Sequence, residues 1–211
     1  MKVLCIIPAR YASTRLPGKP LRDIAGKPMI VRVYERAVRA KRVQDVVVAT
    51  DDERIRAAVE AHGGRAVMTR ADHATGTDRL AEVAEKMTGY DLIINVQGDE
   101  PLIDPAVIDA LVEPFLADAQ LPMATAKTLL TDEEEITNPN NVKVITDLTG
   151  NALYFSRARI PYARNAGAKV YKHIGIYAYR RDFLLAYARM AQTPLERSES
   201  LEQLRAIENG H

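Results

Sequence analysis

The chain has 211 residues, 47% hydrophobic and 27% charged, which is globular composition with enough material for a sizeable core. With 29 basic against 28 acidic side chains the net charge is only +1, so no overall field recruits nucleic acid or an anionic membrane, and any anion must be held by local clusters. Cys5 is the only cysteine, which rules out an intramolecular disulfide and fits an inert thiol in a reducing cytoplasm. No apolar run reaches membrane-spanning length, and the one after Lys2 is too short for a signal-peptide core.

Apolar runs of strand length alternate with segments of helical period. Val3 to Ile7 reads as a buried strand, Met29 to Ala40 as a helix, Val46 to Ala49 as a strand and Glu53 to Ala61 as a helix. A short strand at Ala66 to Met68, a helix from about Thr77 to Met87 and an apolar strand at Leu92 to Val96 continue the pattern. This repetition predicts an α/β fold with a mostly parallel sheet covered by helices on both faces, whose ligands collect beyond the carboxyl ends of the strands. That edge holds the loop after Ile7, the Thr50-Asp51-Asp52 turn and the Gln97-Gly98-Asp99-Glu100-Pro101 turn.

One helix is predicted over Pro105 to Ala117, and then the pattern changes. Strand-like pieces at Met123 to Lys127, Val142 to Thr146, Ala152 to Phe155 and Val170 to Tyr179 are separated by turn-rich linkers, so the second half reads as antiparallel or mixed strands added to the first. Leu184 to Ala191 and Ser198 to Asn209 close the chain as helices. One domain over 1–211 is expected, since no repeat or linker divides it.

The stretch P-A-R-Y-A-S-T-R-L-P-G-K-P-L from Pro8 to Leu21 gathers Arg10, Arg15 and Lys19, with the hydroxyls of Ser13 and Thr14, into one loop directly after a strand. That is the make-up of a polyphosphate cradle; the competing reading is a solvated basic turn. Asp99, at the end of another strand, offers a hard carboxylate for Mg²⁺ beside a phosphate, against the alternative of a helix cap or solvated loop. Asp52 reads as a cap for the following helix, and so do Thr77 and Asp78 for theirs. Gly76 beside His73, Arg79 and two hydroxyls could instead face a base edge. Arg157, Arg159 and Arg164 lie among Tyr154, Phe155, Pro161 and Tyr162, a cluster suited to bidentate recognition of carboxylate or phosphate. A nucleic-acid stripe is disfavoured by the near-neutral chain. His173 and Tyr177 are four apart on a predicted strand, where Glu202 and Gln203 of a late helix could add polar contacts. No nucleophilic triad, zinc-ligand set, dinucleotide fingerprint or G-x-x-x-x-G-K-[ST] loop is present.

The basic loop, V-A-T-D from Val48, T-R-A-D-H-A-T-G-T-D-R from Thr69, N-V-Q-G-D-E-P from Asn95, N-P-N-x-V-K-V from Asn138, L-Y-F-S-R-A from Leu153 and H-I-G-I-Y from His173 run in one order. Together with L-E-Q-L-R at Leu201 they resemble the 3-deoxy-manno-octulosonate cytidylyltransferase family, the CMP-Kdo synthetases. The resemblance implies a three-layer α/β/α nucleotide-diphospho-sugar transferase scaffold with a β-rich dimerisation region, a cytoplasmic homodimer, and the conversion of CTP and Kdo into CMP-Kdo and pyrophosphate for lipopolysaccharide. It further implies that Arg10, Ser13, Arg15 and Lys19 hold the triphosphate, with Lys19, Arg15 and Asp99 serving the chemistry. Thr50, Gly76 and Thr77 would lie near cytosine and ribose, and Gln97 near the reacting groups. Asp99 would bind Mg²⁺, and Arg157, Arg164, His173, Tyr177, Glu202 and Gln203 would engage Kdo. A cytidylyltransferase for 8-amino-Kdo or another acidic sugar, and a non-catalytic nucleotide-sugar binding module, are the alternatives. Family members continue past L-E-Q-L-R into a V-D-T-P-E-D-L-like segment with a second Mg²⁺ ligand. For the sequence as it stands the expectation is CTP affinity with little turnover.

Overall fold

A computed structural model describes residues 1–12 and 16–211. Where the sequence predicts one domain, the chain divides into two compact units: Met1–Ala124 with Ile176–Ala188, and Thr125–Gly175 with Arg189–His211.

Unit 1 is built on β1 (Val3–Ala9), whose run from Val3 to Ile7 is almost wholly buried. Each fully buried Leu or Ile there contributes roughly 1.5 to 3 kcal/mol, and a strand apolar on both faces must lie at the centre of a sheet. A two-residue-strand hairpin, β2 (Asp23–Ile24) and β3 (Lys27–Pro28), leads into α1 (Met29–Ala37). The chain continues through β4 (Asp45–Thr50), α2 (Glu53–Ala61), β5 (Ala66–Met68), α3 (Gly76–Lys86) and β6 (Leu92–Asn95). Strands β5, β4, β1 and β6 pair in parallel in that order. The predicted helix over Pro105 to Ala117 is two, α4 (Pro105–Ala110) and α5 (Glu113–Ala117). Pro114 has no N–H for the carbonyl of Ala110, so the first helix cannot run through it. Helix α1 packs on α2 and α4 and flanks β1 and β4, which α3 also flanks. This is the expected mostly parallel sheet with covering helices. Cys5 lies at its centre, where burial pushes the thiol up to about 12.

Unit 2 takes in most of β7 (Met123–Leu130), then α6 (Glu133–Thr137), β8 (Lys143–Thr146) and β9 (Ala152–Ser156). Strand β10 (Val170–Arg180) gives its first residues to unit 2, pairing antiparallel with β8, and Tyr177 to Arg180 to unit 1, pairing antiparallel with β6. Helix α7 (Arg181–Tyr187) belongs to unit 1. Val144, Phe155, Leu201 and Leu204 form a separate core in unit 2, which is why this half clusters apart. The single closing helix predicted from Ser198 is instead α8 (Pro194–Glu199) and α9 (Leu204–Glu208), separated by Ser200 at φ 52°. That left-handed residue ends α8.

Candidate functional site

In unit 1 the carboxyl ends of β1 and β6 and the start of α3 surround a cleft of about 400 Å³. Among the described residues it is lined by Pro8, Ala9, Arg10, His73, Ala74, Thr75, Gly76, Arg79 and Gln97. Arg10, Gly76 and Gln97 are thereby brought together as the sequence expects. The close approach of the two strand ends depends on Gly98, where a Cβ would stand 2.6 Å from the Pro8 carbonyl oxygen. Across the basic loop, the Gly18 N–H donates to the Tyr11 carbonyl at 3.0 Å, and Gly18 itself sits at φ 69°. Ser13, Thr14 and Arg15 lie outside the described residues.

The floor of the cleft is fixed by helix α3. Thr75, not Thr77, is its cap: the Asp78 N–H donates to the Thr75 hydroxyl at 3.1 Å and the Asp78 carboxylate accepts the Thr75 N–H at 2.9 Å. Such a reciprocal box is worth about 1 kcal/mol per satisfied donor. Gly76 is the first helical residue, and a Cβ there would meet nothing nearer than Pro8 Cγ at 3.9 Å. Neither backbone angle nor protein packing requires glycine at that place. Glu82, two turns along, holds the wall, because its carboxylate accepts the Arg70 N–H at 3.0 Å, an ion pair from Lys86 at 2.6 Å and a hydrogen bond from His73 Nε2. Burial pushes this carboxyl up, but the bonds from Lys86, His73 and Arg70 outweigh it and bring it down to about 2. Arg79, buried, reaches the Thr69 hydroxyl and lies 3.4 Å from Asp51.

Two expected nucleotide residues are buried. Thr50 is fully buried at the end of β4, and its hydroxyl accepts the Asp52 N–H at 3.2 Å, shaping the turn in which Asp52 caps α2. Thr77 is buried in α3 and does not line the cleft. Lys19, in a short 3₁₀ turn at Lys19–Leu21, and Asp99 form an exposed ion pair at 2.6 Å. No cluster of three His, Cys, Asp or Glu side chains suited to a metal occurs among the described residues. A lone hard carboxylate nevertheless fits Mg²⁺, which keeps waters and completes its shell from phosphate oxygens.

In unit 2 the arginines separate by role. Arg164 is exposed, whereas Arg159 pairs with Glu133. Arg157, expected to face an acidic sugar, turns its guanidinium onto backbone carbonyls: Glu199 at 2.8 Å, Pro139 at 3.2 Å and Ser200 at 3.4 Å. Its fork closes the carbonyl end of α8, a favourable place for a cation, with three of the five guanidinium N–H donors spent on these carbonyls. His173 is buried, with Nε2 2.9 Å from the Thr125 hydroxyl and its ring edge-on to Phe155. Burial lowers it to about 4, so the imidazole is neutral at pH 7. Gln203 is buried at the start of α9 beside the half-buried Glu202. Tyr177 belongs to unit 1, where it stacks on Tyr179.

Sequence reasoning took in Pro8 and Ala9 only as the start of the basic stretch, and Thr75 only as one of two hydroxyls beside Gly76, without giving any of them a place of its own in the cleft. It also missed Lys143 and Glu199 of unit 2. A lysine inside V-K-V-I was the available signal for Lys143.

The family model described as Cytidylyltransferase matches residues 4–211. A 3-deoxy-manno-octulosonate cytidylyltransferase of Geobacter metallireducens is 55% identical over 100% of this chain and 87% of its own length. That of Fusobacterium nucleatum is 56% identical over 100% and 86%. A solved structure of CMP:2-keto-3-deoxy-manno-octonic acid synthetase complexed with CTP superposes with a TM-score of 0.96 at 51% identity, covering 100% of this chain and 87% of that one. The chain belongs to the cytidylyltransferase family, among the 3-deoxy-manno-octulosonate cytidylyltransferases.

Proposed function

We propose that the protein transfers the cytidylyl group of CTP to Kdo, giving CMP-Kdo and pyrophosphate. The observation that carries this reading is the cleft bounded by Arg10, Gly76 and Gln97 in a chain 51% identical to a synthetase solved with CTP. The anomeric hydroxyl oxygen of Kdo attacks the α-phosphorus, the bond to the bridging oxygen of the β-phosphate breaks, and pyrophosphate leaves with the electron pair. The hydroxyl proton passes to solvent water. Such chemistry depends chiefly on positioning and on offsetting charge.

In this reading Arg10 and Lys19, with Ser13 and Arg15, hold the triphosphate, while Gly76 leaves room for the nucleoside and Gln97 lies near the reacting groups. Asp99 is the protein's ligand for Mg²⁺, which when bound would neutralise phosphate oxygens and polarise the α-phosphoryl group. Arg164, Tyr177, His173, Glu202 and Gln203 serve Kdo, His173 as a neutral hydrogen-bonding group. We also read the protein as a cytoplasmic homodimer preparing Kdo for lipopolysaccharide. Among the described residues no helix is long and apolar enough to cross a membrane, and Leu129 and Leu153 are exposed on unit 2.

Pyrophosphate release should require CTP, Kdo and Mg²⁺ together. Equal release with ATP or GTP, or release without Kdo, would overturn the assignment.

A further inference from the structure

Lys143 is the one lysine among the buried residues of the described chain, with no exposed surface. Its ammonium has three N–H donors, and each goes to a backbone carbonyl: Asn138 at 3.0 Å, Asn141 at 2.6 Å and Arg157 at 2.6 Å. Burial lowers its pKa, against the attraction of Glu199. The Glu199 carboxylate accepts the Ser156 hydroxyl at 2.6 Å and the Arg157 N–H at 2.9 Å, while the Arg157 guanidinium bonds the Glu199, Ser200 and Pro139 carbonyls. Three segments of unit 2 are therefore tied at one point: the Asn138–Asn141 turn, the chain leaving β9, and the corner between α8 and α9. An apolar side chain of similar volume would fill this place without the cost of desolvating a cation. What a lysine adds is direction, since each carbonyl must point at one nitrogen.

Two of those segments carry the side chains assigned above to the acidic sugar. Arg164 follows Arg157 along the same stretch, and Glu202 and Gln203 follow Ser200 after Leu201. We propose that Lys143, acting through Arg157 and Glu199, is a positioning residue for sugar recognition. It sets the carbonyl frame on which Arg164, Glu202 and Gln203 are held, and Arg157 is part of that frame. The inference rests on the assignment of Arg164, Glu202 and Gln203 to Kdo.

The test is steady-state pyrophosphate release by the full chain, varying Kdo at saturating CTP and CTP at saturating Kdo, with CTP affinity by calorimetry and the melting temperature recorded for each variant. Lys143→Met should raise KM for Kdo roughly tenfold, the scale of one misplaced charge-assisted contact, and leave CTP affinity within about twofold of the parent. Glu199→Gln keeps the shape and should move KM for Kdo in the same direction by roughly threefold, which carries the test if the first variant does not fold. Arg164→Ala separates the premise from the inference. If it leaves KM for Kdo unmoved, the sugar is not held there and both fall. If it raises KM while folded Lys143→Met and Glu199→Gln do not, the inference alone is overturned. Equal loss of CTP and Kdo binding in proportion to lost folding would likewise make Lys143 purely structural.

Discussion

Asp99 and Lys19 neutralise each other in an exposed pair, and exposed pairs contribute roughly 0 to 1 kcal/mol to stability. Their worth must lie in chemistry if the proposed function holds. Asp99→Asn should lower kcat by roughly two orders of magnitude, through loss of metal charge at the phosphates, and leave the melting temperature almost unchanged. Turnover equal to the parent at saturating Mg²⁺ would remove Asp99 from the site. Glu82 lies deeper and acts at one remove, tying Arg70 and His73 to α3. Glu82→Gln keeps an acceptor for the Arg70 N–H but loses the charge facing His73 and Lys86. CTP affinity measured by calorimetry should fall several-fold, on the scale of one weakened charged hydrogen bond. An unchanged titration would show that the wall stands without it.

Helix α3 supplies the clearest case at the level of elements. Its first residue is glycine although φ is not positive and a Cβ would meet nothing nearer than 3.9 Å. Gly76→Ala should keep or raise the melting temperature, since Ala is favoured over Gly in helices by about 1 kcal/mol, yet weaken CTP binding if the nucleoside needs that space. Stability and affinity moving together, both down, would mean glycine serves the fold. Elements with a buried stripe or run were legible in the sequence: Glu53–Ala61 falls where the pattern puts it, and the predicted Val46 to Ala49 lies within β4, because a buried stripe or run fixes period and length together. Elements fixed by distant partners were not. The hairpin of β2 and β3 has two-residue strands, too short for any periodicity, and the break after α8 depends on Ser200 and on Arg157 from elsewhere in the chain. The site divides the same way. Arg10, Gly76 and Gln97 converge because strand ends in a parallel sheet share an edge. Arg157 gave no sign of its bonds to backbone carbonyls, since Pro139, Glu199 and Ser200 are remote from it in sequence.

Across the whole molecule, protonation on acidification acts in one direction. Buried His173 must be neutral in the folded protein, with its pKa lowered from 6.5 to about 4. A group depressed on folding binds more protons when unfolded, so its contribution is complete above pH 6.5 and is lost as pH falls toward 4, amounting to about 3 kcal/mol over that window. The carboxylates follow at lower pH. Glu82, Glu35, Asp52, Asp147, Glu199 and Glu208 are all lowered by their partners, so the stability they add is present above their ordinary values of 3.8 to 4.5 and disappears below them. The acid limb should therefore have two stages, a histidine stage between pH 6.5 and 4 and a steeper carboxylate stage beneath it. His173→Gln keeps a polar end toward Thr125 but cannot titrate, so denaturant unfolding from pH 7 to 4.5 should lose most of its pH dependence while the lower stage persists. If the variant keeps the parent's slope between pH 6.5 and 5, groups other than His173 govern the first stage, and the picture of a buried, neutral imidazole on β10 is wrong.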